Sequence, residues 1–421
     1  MKTLYENDRG AYVSYVQLAL DRAGYDLAVD GIFGQQTCNA LRRFLGTENC
    51  TVDDAAWQKL APYLKGYTLH TVEAGDTFFR LLDQYSTTLT ALQQANPGVN
   101  AMQPEAGTEL VIPFRFDVVA TNVPYSYELM EWILEGLRVR YPFVEQETIG
   151  QSIMGKNIPC VKIGSGEKRL SYNASFHANE WICTPLLLKF AEDYLKAYSA
   201  GGRLGLVPAR ELYDSCTLCL IPMVNPDGVD LVTGTLDDPA YRRAAEEIAS
   251  AYPEIPFPDG WKANIAGVDL NLQFPAGWEQ AREIKYALGF TAPAPRDYVG
   301  DAPLSAPESR AMYEYTMAND FSLILAYHTQ GEVIYWKYLD YEPAGALELG
   351  QYFSRVSGYA LEVTPLVSGY AGYKDWFIMQ YNRPGYTIEA GRGTNPLPLS
   401  QFDEMYEDNF GIWIGAMFFD L

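Results

Sequence analysis

Four short apolar runs in the C-terminal part of the chain each lead directly into a polar residue. The run 171–176 leads into His177, 216–224 into Asn225, 321–327 into His328, and 386–388 into Glu389. Runs of this length and apolar content read as buried strands. In open α/β sheets, ligands bind just beyond the carboxyl ends of the strands. Four polar groups at four strand ends therefore make one site.

The residue types at those ends suggest its chemistry. Glu180 follows His177 by three positions, and the whole chain holds only three histidines, His70, His177 and His328. Two neutral imidazoles and one carboxylate are the ligand set of a catalytic zinc that keeps a position open for water or substrate. His177, Glu180 and His328 are thus the candidate ligands, for one zinc per chain. A His and a Glu three apart are common by accident; the convergence of strand ends strengthens the pair.

A chain of 421 residues with 48% hydrophobic content is globular, with room for two to four domains. Its formal charge of −22 argues against nucleic acid, whose phosphates need a basic face, and against an anionic membrane surface. The first residues show no basic start followed by an apolar stretch, so no signal peptide is expected, and no run is long enough for a membrane span. The cellular location stays open. Cys216 and Cys219 lie in a strand-like run, where residues three apart face opposite ways, and read as buried free thiols. Cys38 and Cys50 could pair in an exported protein, which the sequence leaves undecided.

Residues 1–66 read as a small three-helix domain. Val13, Val16, Gln17, Leu20 and Ala23 mark the first helix, stopped at Gly24. Residues 37–45 form the second, and 53–64 the third, capped by Asp53 or Asp54. Val16-Gln17-Leu18, Gly24-Tyr25, Asp30-Gly31-Ile32-Phe33-Gly34, Thr37 and Ala40 resemble the peptidoglycan-binding domain found beside wall hydrolases; an unspecific spacer is the alternative. Residues 67–115 are predicted to run strand, helix, helix, strand. The alternating 67–72, Gly75-Asp76-Thr77, Asn96-Pro97-Gly98 and Glu109–Pro113 resemble a LysM domain. That resemblance implies binding to N-acetylglucosamine chains, with His70 in a packing or hydrogen-bonding role.

Residues 116–421 are expected to form the catalytic domain, an α/β fold with a mixed twisted sheet flanked by helices. His177-Ala178-Asn179-Glu180, Asn225-Pro226-Asp227-Gly228, Gly267-Val268-Asp269-Leu270-Asn271, Tyr327-His328-Thr329, Asp375-Trp376 and Thr387-Ile388-Glu389 resemble the motifs of the zinc carboxypeptidases of the carboxypeptidase A type. The resemblance implies that His177, Glu180 and His328 hold the zinc and that Glu389 is the general base. It implies that Asp269 orients His177 and that Asn271 touches substrate, with Asn179 beside it. The family carries an arginine after a tryptophan for the oxyanion; here Lys262 follows Trp261. A mobile tyrosine precedes the Asp-Trp pair in the family, and Tyr370 and Tyr373 both qualify, with Tyr370 preferred.

One departure bears on substrate. Exopeptidase members follow the asparagine with an arginine that holds the substrate's terminal carboxylate, whereas Asn271 is followed by Leu272. The segment 268–276 instead resembles the branch that cleaves γ-D-glutamyl–diamino acid bonds in peptidoglycan stem peptides. Lys374 then suits a carboxylate of the leaving diaminopimelate, a solvated lysine being the alternative. Peptidoglycan glycan chains and stem peptides are the expected partners. The rivals are an ordinary zinc carboxypeptidase, an N-acyl-amino-acid deacylase of similar fold, which would need no wall modules, and an inactive wall-binding protein, which would have lost a ligand or the base.

Overall fold

The computed structural model describes residues 1–419, which divide into two compact units, 1–145 with 192–201, and 146–191 with 202–419. In the first unit the helices Ala11–Leu20, Gln35–Leu45 and Asp54–Lys65 form the N-terminal bundle. The first is buried on every face, so its pattern exceeds a single stripe, and it ends before Ala23, in a turn where Gly24 adopts φ 92°. Gln17 explains much of the local sequence. Its amide oxygen accepts from the N–H groups of Asp30 and Gly31, and its nitrogen donates to Asp30 Oδ1 and Thr37 Oγ1. A buried amide must have its partners, so these residues fix the loop 30–34. Asp53 is the cap of the third helix, accepting from Ala56 N–H at 2.9 Å, and Cys38 and Cys50 are joined.

The following module pairs Tyr67–Thr71 antiparallel with Glu109–Pro113 and inserts helices Phe78–Tyr85 and Leu89–Ala95 between them. Val72, Phe78, Leu81, Leu92, Leu110 and Ile112 form its core. His70 lies between Tyr85 Oη and Asp76 Oδ2, each at 2.9 Å, in the hydrogen-bonding role expected of it.

In the second unit eight strands form one mixed sheet: β1 (Glu145–Gln151, with Glu145 itself in the first unit), β2 (Asn157–Gly164), β3 (Lys168–Ala174), β4 (Cys216–Ile221), β5 (Phe321–His328), β6 (Val333–Tyr335), β7 (Ala360–Glu362) and β8 (Gly385–Glu389), in the order β7-β6-β8-β5-β3-β4-β2-β1. The central four, β8, β5, β3 and β4, are parallel. They are nearly continuously buried, as strands covered on both faces must be. On one face Ile324 and Ala326 join Cys219, Met312, Trp376 and Phe377, bringing in helices Pro307–Ala318 and Tyr373–Tyr381. On the other, Tyr172 and Tyr327 meet Phe190 and Trp413 of the helices Cys183–Ser199 and Phe402–Phe418. Cys160, Cys183, Cys216 and Cys219 are free and buried. Among the described residues, no helix is long and apolar enough to cross a membrane.

Glu308 carries a measurable cost in this unit. It is wholly buried, accepting from Asn264 Nδ2 at 3.1 Å and Ile153 N–H at 3.3 Å, and burial pushes its carboxyl from 4.5 up to about 7. The folded chain therefore keeps a proton that the unfolded chain has released, so this group's contribution to stability falls as pH rises from 4.5 towards about 7. Glu308→Gln is expected to melt with a smaller difference between pH 5 and pH 8 than the native protein. Equal differences would place the pH dependence elsewhere.

Candidate active site

Parallel register gathers the strand ends. His328 lies opposite Glu389 across β5 and β8, and Tyr327 opposite Ala174 across β5 and β3. The chain leaving β3 reaches His177, which opens the 3₁₀ turn Ala178–Glu180, so the three-residue spacing folds Glu180 back onto the same point. Asn225 supports this turn from below the site. Its amide nitrogen donates to the carbonyls of Phe176 and Ala263, and its oxygen accepts from Gly228 N–H. A Cβ at Gly228 would stand 2.7 Å from the Ala263 carbonyl and 2.8 Å from Ala178 Cβ, which accounts for the glycine.

The donor atoms converge closely. His177 Nδ1 is 3.0 Å from Glu180 Oε1, His328 Nδ1 is 2.9 Å from Glu180 Oε2, and the two Nδ1 atoms are 3.2 Å apart. Glu180 and His328 are buried. His177 Nε2 faces Asp269 Oδ1 at 3.2 Å, so the proton of the neutral ring sits on Nε2 and the Nδ1 lone pair points at a carboxylate. Lone pairs and a buried carboxylate meeting at one point call for a cation. The two-His, one-Glu set fits zinc, with Asp269 fixing the ring tautomer from outside.

The surrounding charges respond to this crowding. Burial opposes the ionised form of Glu180, yet His177 and Lys262 hold its carboxyl well below the usual range. Burial likewise opposes a charge on His177, while Glu180 and Asp269 push it up to about 9. Proton and metal would compete for the same Nδ1 lone pair. Burial keeps the Glu389 carboxyl above its ordinary value against the pull of His328, with Glu180 adding to the rise. A raised carboxyl of this kind suits a group that takes and returns a proton.

Two adjoining hollows open here, sharing Lys262, Arg296, Tyr335 and Glu389. The first also contains Asn271, Leu272 and Lys374, the second Asn179 and Asn395. Lys262 is placed with its ammonium on Glu180 Oε1 at 2.8 Å. Asn271 Oδ1 accepts from Tyr373 N–H at 2.9 Å. Asn179 donates to the Asp259 carbonyl at 2.9 Å and leaves its buried Oδ1 without a partner among the described residues. Lys374 is buried and engaged by Asp375 Oδ1 (2.5 Å), the Lys337 carbonyl (2.8 Å) and Thr364 Oγ1 (3.2 Å). Tyr373 is a core residue, its hydroxyl 2.9 Å from Thr316 Oγ1. Tyr370 is partly buried against Leu272 and Trp278 and does not line either hollow.

Sequence reasoning missed Tyr335, Arg296, Asp297 and Asn395. Asn395 had a signal, since it sits in a glycine-rich loop directly after the Glu389 strand end; its amide lies 3.4 Å from Glu180 Oε1 and donates to the Thr329 carbonyl. Tyr335 ends a three-residue strand, and Arg296 follows an irregular proline-bearing loop, so neither had a periodic pattern to mark it.

Residues 130–411 match the family model for zinc carboxypeptidases, and residues 70–113 match that of the LysM domain. The chain is 45% identical over 296 residues to gamma-D-glutamyl-L-diamino acid endopeptidase 1 of Lysinibacillus sphaericus, covering 70% of this chain and 72% of that protein. It is 42% identical over 282 residues to the uncharacterized protein YqgT of Bacillus subtilis (strain 168), covering 66% and 73%. Among solved structures, thrombin activatable fibrinolysis inhibitor superposes with a TM-score of 0.56 at 17% identity, covering 84% of this chain and 98% of that one. Carboxypeptidase A from Helicoverpa armigera gives 0.52 at 19% identity, covering 80% and 79%. At these identities the likeness is one of fold.

Proposed function

The chain belongs to the zinc carboxypeptidase family, and from that premise we propose that it hydrolyses the bond between γ-D-glutamate and meso-diaminopimelate in peptidoglycan stem peptides. The observation that carries this reading is Leu272. It is packed into the wall of the first hollow with Trp278, Val299 and Ala371, next to Asn271. An apolar side chain there cannot pair with a terminal carboxylate, and the L. sphaericus relative is named for γ-D-glutamyl–diamino acid cleavage.

His177, Glu180 and His328 would hold one zinc per chain, supplying a water acidic enough to ionise near neutrality and a Lewis acid for the carbonyl. Asp269 keeps the proton on His177 Nε2 and so presents the Nδ1 lone pair. Glu389 takes the proton of the attacking water and returns it to the leaving amine. Lys262 neutralises Glu180 and is the candidate donor to the developing oxyanion, although its single ammonium cannot make a two-pronged contact. Asn271 and Asn179 are the candidate polar contacts to substrate on the two sides. Tyr370, next to Gly369, is the candidate acid that moves over bound substrate. The domains 1–66 and 67–115 would hold the enzyme on glycan chains, raising local concentration.

Mass spectrometry of defined muropeptides tests the reading. The expected products from L-alanyl-γ-D-glutamyl-diaminopimelate are the dipeptide and free diaminopimelate, while plain L-peptides keep their C-terminal residues. Lys374→Ala should lower kcat/KM on diaminopimelate stems roughly tenfold more than on lysine stems. Trimming of plain L-peptides with intact stem peptide left behind would overturn the assignment.

A further inference from the structure

A γ-linked glutamyl residue differs from an ordinary acyl donor in carrying a free α-carboxylate, one side-chain length from the scissile carbonyl. Given the proposed substrate, on which this inference rests, that anion must meet a cation in the cleft or lose its hydration without compensation. Four cations line the first hollow: Lys262, Lys285, Arg296 and Lys374. Three are already engaged and sheltered. Lys262 is paired with Glu180, with 18% of its side chain exposed; Lys285 is paired with Asp297 at 2.5 Å and 7% exposed; Lys374 is held on three sides and 3% exposed.

Arg296 is different. Its side chain is 44% exposed, and its one hydrogen bond among the described residues runs from Nε to Asp297 Oδ2 at 2.7 Å. Among the described residues, none accepts from its two terminal amino groups. It borders both hollows together with Lys262, Tyr335 and Glu389, where the reacting bond has to lie. A guanidinium held through Nε presents its remaining paired N–H groups as a fork that matches a carboxylate.

The support behind Arg296 is fixed to the metal site. Asp297 stands at φ 66°, a left-handed conformation that aspartate tolerates better than most residues. Its N–H donates to Asp269 Oδ2 at 3.1 Å, while Asp269 Oδ1 faces His177. The same carboxylate that orients a zinc-ligand histidine therefore sets the backbone from which Arg296 projects, and Lys285 pins the Asp297 side chain from the other side. We propose that Arg296 binds the α-carboxylate of the γ-D-glutamyl residue, and that this contact selects γ-linked donors.

The test uses the full-length, zinc-loaded protein and two tripeptides differing only at that group, L-alanyl-γ-D-glutamyl-diaminopimelate and its analogue with a D-glutamyl α-carboxamide. The native protein is expected to prefer the carboxylate roughly tenfold to a hundredfold in kcat/KM. Arg296→Ala should bring that ratio close to one, and Arg296→Lys should restore part of it. A ratio unchanged in Arg296→Ala, or a native ratio near one, overturns the Arg296 assignment while leaving the substrate reading in place. Cleavage of neither tripeptide by the native protein overturns both. Zinc content and melting temperature of the variants, measured beside the rates, separate loss of recognition from loss of fold.

Discussion

Alanine at His328, or at His177, is expected to take the zinc content from one per chain to near none and to abolish turnover. The catalytic unit contains no other histidine, because His70 is committed to Tyr85 and Asp76 in the LysM module. No neighbouring imidazole can therefore substitute. The groups that remain after the change also disfavour a divalent ion, since Glu180 already has the ammonium of Lys262 at 2.8 Å and would close onto it. Elemental analysis of the two purified variants decides the point. A second readout comes from chelation: the native protein should melt at lower temperature after metal removal, because binding energy to the folded site is folding energy, whereas the variants should not change. Full zinc retention in both variants would mean that the metal sits elsewhere.

Much of this site could be read from residue order because parallel strands convert sequence into position. When apolar runs end in His177, His328 and Glu389 and those runs are parallel neighbours, the register itself places the three groups together. The short spacing from His177 to Glu180 is covered by a single turn. Elements with strong local signals were legible too, as with a cap at Asp53 or Asp54, which the fold resolves to Asp53, the turn at Gly24 and the strand-helix-helix-strand order of the LysM module.

The groups that escaped detection are those whose position depends on contacts distant in sequence. Arg296 reaches the cleft because Asp297 N–H is held by Asp269, 28 residues earlier, and no local pattern encodes that bond. Tyr335 arrives through the antiparallel pairing of a three-residue strand with β8. Tyr370 was preferred to Tyr373 from a segment whose glycines flank both. Packing bears on Tyr373 alone, which is committed to the core by Phe176, Phe274 and Trp376. Lys374 shows the converse problem. Sequence places a cation near the cleft but is silent on the three groups that hold it, Asp375, the Lys337 carbonyl and Thr364.

Changing Glu389 to glutamine is expected to lower kcat by about two orders of magnitude or more while zinc stays bound. The substitution keeps shape and one hydrogen-bonding oxygen, and removes only the capacity to accept a proton. Glu389 stands outside the contacts among the candidate ligands His177, Glu180 and His328. Metal content should therefore match the native protein. Stability should be equal or slightly higher, because a carboxylate kept partly out of water near Glu180 is replaced by a neutral group. Substrate affinity should change far less than kcat, since the proton leaves the water only on the way to the transition state. This pattern separates a base from a binding group: Arg296→Ala is expected to act through the carboxylate-to-carboxamide ratio, which Glu389→Gln should leave as it is. Near-native turnover in Glu389→Gln with a full complement of zinc would show that another group takes the proton, and Tyr335, which borders both hollows beside Glu389, would be the next residue to change.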